Sequence, residues 1–186
     1  MPMPVTIKET ELAGVLEVHT GVFEDDRGFF SESHSAKMWE EAGFLETFVQ
    51  DNLSKSSRGT LRGMHYQLDP HGMGKLVRCV QGAVFDVAVD LRAGSPTYSK
   101  WVGRELSGSN HLSLWVPVGF AHGFVALEDD TLVHYKCTGM HEPDAERAVS
   151  YKDPTIAIEW PLEPSVITQK DEDAPLLADA EANFSF

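Results

Sequence analysis

From Thr60 to Cys137 the chain is cut into short apolar or alternating runs, none long enough for a sustained amphipathic helix, and this cadence constrains the fold most. The runs are 60–67, 75–80, 83–91, 101–106, 111–116, 123–127 and 131–137. Turn-forming clusters separate them: Gln81-Gly82, Ala93-Gly94-Ser95-Pro96, Ser107-Gly108-Ser109-Asn110 and Glu128-Asp129-Asp130. Strands at this spacing, joined by short turns, predict an antiparallel sandwich or barrel and not alternating α/β. Two further runs, 5–10 and 15–20, precede a turn at Asp25-Asp26-Arg27-Gly28. Residues 35–43 read as one early helix, with Ser35 placed to cap it and Gly43 to end it. The tail after Asp153, rich in Pro and Asp, reads as irregular chain packed over a sheet. With no internal repeat and no linker, residues 1–186 read as one domain.

A hydrophobic content of 42% is ample for a core. The net charge of −14 argues against nucleic acid or an anionic membrane as the main partner. A small anionic ligand needs only a local cluster of cations and stays open. Cys79 and Cys137 lie inside strand-like runs without metal-site spacing, and read as reduced core residues of a cytoplasmic protein. Residues 1–10 lack the basic and apolar regions of a secretory leader, and no run reaches membrane-spanning length.

The densest chemistry lies in Leu-Arg-Gly-Met-His-Tyr-Gln-Leu-Asp-Pro-His-Gly-Met-Gly-Lys, residues 61–75. Arg62, His65 and Lys75 are expected on two adjacent strands around a Pro/Gly turn. Such a set can hold an anion and move a proton beside it, although an ordinary hairpin with surface polar groups fits as well. The turn at Pro117-Val-Gly-Phe-Ala is followed by His122, expected to open a strand as a metal ligand, a catalytic partner or a satisfied core residue. Period-two alternation sets Val84, Asp86 and Ala88 on one face of their strand. A carboxylate in so apolar a run needs a partner, structural or functional. Tyr135 lies on a strand, where a tied-off hydroxyl and a proton donor are both plausible roles.

In order along the chain, several blocks resemble the nucleotide-sugar epimerase family that contains dTDP-4-dehydrorhamnose 3,5-epimerase. They are Asp-Asp-Arg-Gly-Phe-Phe-Ser-Glu (25–32), Gln-Asp-Asn-Leu-Ser-Lys-Ser (50–56), Leu-Arg-Gly-Met-His-Tyr-Gln (61–67) and Lys-Leu-Val (75–77). Val-Phe-Asp-Val-Ala-Val-Asp-Leu-Arg-Ala-Gly-Ser-Pro-Thr (84–97), Pro-Val-Gly-Phe-Ala-His-Gly-Phe (117–124), Asp-Pro (153–154) and Lys-Asp (170–171) complete the set. The resemblance implies an all-β fold, a cupin-type jelly-roll β-sandwich with a few short helices, paired as a homodimer. It implies a dTDP-linked 4-keto-6-deoxy sugar as substrate, inverted at C3 and C5 with no cofactor. His65 would be the base, Asp171 its orienting carboxylate, Lys75 the cation at the C4 oxyanion and Tyr135 the acid on the other face. Arg62, Lys170 and Arg27 would meet the diphosphate. Gln50, Asn52, Phe29 and Glu32 would contact nucleoside and sugar, some of them across the dimer interface. Asp86 and His122 would line the same pocket.

One position departs from the pattern. Members acting at both carbons often carry a second tyrosine six residues after the acid, and this chain has His141 there. The departure leaves open inversion at one carbon only, or a different nucleotide sugar. A metal-dependent cupin is a poorer match, because the second histidine of the usual ligand pair is absent from His65-Tyr66-Gln67. A sugar-binding cupin without catalysis, and a nucleotide-sugar ketoisomerase, are the remaining rivals.

Overall fold

The computed structural model describes residues 4–186. The first three positions of the stretch read for a leader lie outside it. Two antiparallel sheets face each other. The larger has the spatial order β1 (Val5–Glu9), β2 (Leu16–Thr20), β10 (Leu112–Val116), β7 (Lys75–Gln81), β12 (Thr131–Cys137), β5 (Gln50–Ser56). The smaller runs β13 (Glu146–Ala148), β6 (Leu61–Gln67), β11 (Phe120–Ala126), β8 (Ala83–Asp90), β9 (Trp101–Ser107). A separate hairpin is formed by β3 (Phe23–Asp25) and β4 (Gly28–Phe30). From β5 to β13 successive strands alternate between the two sheets, except for the paired β8 and β9, as in a cupin-type jelly roll.

Strand alternation builds the core. Val77 and Cys79 of β7, Leu114 and Val116 of β10 and Val133 of β12 meet Val84 and Ala88 of β8, Leu106 of β9 and Phe124 of β11 between the sheets. Each fully buried aliphatic or Phe side chain contributes about 1.5–3 kcal/mol. The other face of the smaller sheet, with Met64, Val87 and Val89, is covered by the tail through Tyr151, Ile156, Leu177 and Phe184. The tail therefore packs over a sheet as expected. The outer face of the larger sheet is covered at Leu76 and Trp115 by Trp39 and Phe44, which flank or belong to α1 (Ala36–Glu41). Ser35 is the N-cap residue of α1, but its side chain makes no capping bond.

Four expectations change. Arg62 and His65 do not share a hairpin with Lys75, because β6 and β7 belong to opposite sheets. The crossing passes at Gly74, where a Cβ would lie 2.1 Å from the Trp115 ring. His122 does not open its strand, since β11 starts at Phe120. β5 was not anticipated, because its inward residues Gln50 and Asn52 are polar. β13 just before the tail, and a one-turn helix within it, α2 (Gln169–Glu172), were not anticipated, because such short polar stretches do not announce them.

Candidate active site

At one end of the sandwich the apolar core gives way to two adjoining cavities of about 280 and 250 Å³, both lined by His65, Lys75 and Tyr135. The first extends to Gln50, Asn52, His141 and Glu146. The second extends to Arg62, His122, Lys170 and Asp171.

His65 comes from β6 and meets Asp171 of α2, with Nε2 2.6 Å from Oδ1. Thr168 caps α2 and accepts the Asp171 backbone N–H, which sets the carboxylate under the strand. The other carboxylate oxygen accepts the Gly63 backbone N–H at 3.5 Å. Burial alone would raise the Asp171 pKa, but the hydrogen bond and charge of His65 bring it below the ordinary carboxylate value. Gly63 has φ +137°, and a Cβ there would stand 2.5 Å from the Gly123 Cα. Two glycines thus let β6 and β11 touch where the ladder shifts register between His122 and Phe124.

His122 is the cross-strand neighbour of His65. Its Nε2 lies 2.8 Å from Oδ1 of the fully buried Asp86, whose Oδ2 has no partner among the described residues. The carboxylate expected to need a partner has found one through a single oxygen.

Lys75 and Tyr135 face these groups from the larger sheet. Desolvation pushes the Lys75 ammonium below its ordinary pKa, against the pull of Cys137, Asp86 and Glu146, and its Nζ makes no ion pair among the described residues. Desolvation pushes the Tyr135 phenol up, keeping it a protonated donor across the neutral range. Cys137 is free and buried but lines the first cavity, so it is a wall residue as well as a core one.

Cations and amides ring the mouth. Arg62 Nε donates to Ser56 Oγ at 3.1 Å, which aims its guanidinium along the second cavity. Gln50 Nε2 donates to Asn52 Oδ1 at 3.1 Å. Lys170 Nζ and His141 Nε2 both reach Oε2 of Glu146, at 2.7 and 3.5 Å. Glu146 escaped the sequence reading: it stands in a polar loop-like stretch, and only the pairing of β13 with β6 brings it inward. Despite burial, which acts upward, Lys170, His141 and His65 hold its pKa below the ordinary value.

Arg27, Phe29 and Glu32 line neither cavity. The Arg27 guanidinium is held by Asp25 on the hairpin, and the Phe29 ring rests on His111 at 4.6 Å while staying 56% exposed. Among the described residues no three His, Cys, Asp or Glu side chains converge as metal ligands, and no helix is long and apolar enough to cross a membrane.

The site is thus that of a cupin-type sandwich, with histidine–carboxylate pairs on one wall of its cavities and a lysine and a tyrosine on the other. A family model described as dTDP-4-dehydrorhamnose 3,5-epimerase matches residues 9–179. The chain is 48% identical over 178 residues to dTDP-4-dehydrorhamnose 3,5-epimerase of Shigella flexneri, covering 95% of this chain and 98% of that one. It is 40% identical to dTDP-4-dehydrorhamnose 3-epimerase of Streptomyces niveus, covering 91% and 82% of the two. A dTDP-6-deoxy-D-glucose-3,5-epimerase from Legionella pneumophila, solved with dTDP-4-keto-L-rhamnose, superposes with a TM-score of 0.89 at 46% identity, covering 94% of each chain. The chain belongs to the dTDP-4-dehydrorhamnose 3,5-epimerase family, a family of isomerases.

Proposed function

We propose that this protein inverts C3 and C5 of dTDP-4-keto-6-deoxy-D-glucose, the step that leads toward dTDP-L-rhamnose or a related deoxysugar. The observation that carries the reading is that His65 descends from the smaller sheet, while Lys75 and Tyr135 rise from the larger into the same cavities. Epimerisation needs that arrangement: a base on one face of the ring and an acid on the other.

The C4 ketone acidifies the C–H bonds at C3 and C5. His65 takes a proton, and Asp171 holds the imidazole in orientation and stabilises the imidazolium. The electron pair moves onto the C4 oxygen, where Lys75 offers a positive charge not shared with an ion-pair partner. Tyr135 returns a proton to the opposite face; its phenolate then recovers a proton from solvent while the His65 imidazolium releases one, which restores both groups. Asp86 and His122 support the His65 wall. Arg62 and Lys170 bind the diphosphate, with guanidinium geometry suited to it, and Gln50 and Asn52 border the first cavity where sugar or nucleoside lies. The steps need no metal or nucleotide cofactor.

Arg27, Phe29 and Glu32 sit on or just after the hairpin, away from their own cavities, and Phe29 and Phe30 are exposed. This supports a homodimer in which the hairpin of one copy completes the pocket of the other. Two free buried cysteines fit a reducing cytoplasm. A second reading, inversion at one carbon only, draws support from His141 in the first cavity and from the 3-epimerase relative.

Proton NMR of dTDP-4-keto-6-deoxyglucose with the protein in heavy water tests both. Loss of the C3 and C5 signals together is expected. Loss of one would select the single inversion, and no exchange would reject the epimerase reading for this substrate.

A further inference from the structure

His141 stands at the mouth where the family resemblance implied a tyrosine, and its contacts give it a task a tyrosine lacks. Glu146 Oε2 is shared between Lys170 Nζ at 2.7 Å and His141 Nε2 at 3.5 Å. The Glu146 side chain is only 25% exposed, against 58% for Lys170 and 52% for His141. One sheltered carboxylate oxygen therefore has two candidate partners, an ammonium that now holds it and an imidazole that forms an ion pair with it only when protonated. The His141 backbone N–H donates to Gln50 Oε1 at 3.1 Å, tethering the loop beside the carboxylate. The other charged or titrating groups around the ring are Glu142 on its own loop, Lys170 on α2, His65 on β6, Lys75 on β7, and Tyr135 and Cys137 on β12. Among the described residues the ion-pair partner of His141 is Glu146, on β13.

We infer that His141 is a proton-linked replacement for Lys170: when a phosphate oxygen draws Lys170 away from Glu146, His141 takes a proton from solvent and pairs with the carboxylate instead. This rests on the reading that the ligand's diphosphate engages Lys170. A partly buried carboxylate left alone beside an incoming dianion is strongly disfavoured, and protonating the imidazole is the least costly local remedy. The complex then holds more protons than its components, so affinity falls as pH rises through the neutral range. A tyrosine at this position, neutral until about pH 10, would bind the same ligand without this linkage.

The test is calorimetric binding of dTDP-glucose to the intact protein at pH 7.5, in buffers of different ionisation enthalpy. This probe has no C4 ketone to react and no phosphate that titrates near neutrality. Uptake on the order of half a proton per ligand is expected, with affinity weakening about threefold per pH unit. His141→Tyr, His141→Gln and Glu146→Gln should bind without uptake. Binding by the unaltered protein without uptake, or uptake that survives His141→Gln, would overturn the inference. No binding at all would remove the diphosphate reading and the inference with it.

Discussion

His65 and Asp171 stand 106 residues apart in the chain and 2.6 Å apart in the fold. The contact depends on α2 docking its first turn against β6, which places a buried, deprotonated carboxylate behind the ring that faces the cavity. As a base needs an orienting partner, the two residues are expected to act as a unit. His65→Asn should lower turnover by roughly 10²–10⁴-fold. Asp171→Asn should fall in a similar range, and the double variant should cost little more than the larger single loss. Single-turnover rates of the three variants check this, and additive losses would separate the residues.

Tyr135→Phe removes only the hydroxyl proposed to return a proton. Solvent deuterium should still enter the substrate by way of His65, while formation of the inverted sugar falls by about 10²-fold or more. Following deuterium wash-in and product configuration in the same NMR sample distinguishes the two. Equal loss of both would take the acid role from Tyr135.

Gly63 has no room for a side chain. Its Cβ would enter the Gly123 backbone at 2.5 Å, and its φ of +137° disfavours any L-residue. Gly63→Ala should cost about 2–4 kcal/mol in urea unfolding. It should also lower activity beyond the stability loss, by displacing His65 two residues on. Full activity in the folded fraction would show that the close approach of β6 and β11 is not what aims His65.

Asp90 is fully buried and accepts hydrogen bonds from Arg92, Ser95 and Thr97. Burial acts upward, but these donors together hold its pKa down at about 2 against an ordinary 3.8. A depressed carboxylate stabilises the fold above its unfolded pKa, and that contribution fades as pH falls from about 4 to 2. Asp90→Asn should therefore be about 2 kcal/mol less stable at pH 7. The gap should close toward pH 2, as measured by denaturant unfolding across that range. A gap independent of pH would assign the loss to packing and not to charge.

The cadence of short runs and turns determined the all-β sandwich, because strand period and turn chemistry are local properties of the backbone. It also marked eight of the strands to within a residue at each end, with β11 starting three residues earlier than its run, and the linear blocks that resemble the family brought Arg62, His65, Lys75, Tyr135, Lys170 and Asp171 forward as a set. Three things were decided only by the fold. The sheet assignment of β6 and β7 depends on which faces bury together, and it sets His65 and Lys75 on opposite walls where their spacing had implied adjacent strands. Glu146 acquires its place from a three-residue strand pairing too short to carry a pattern. The hairpin bearing Arg27 and Phe29, expected from sequence to contact substrate, lies away from the chain's own cavities. Local sequence specifies what a segment can form, whereas distance across a cavity is the sum of long-range packing, which no short stretch encodes.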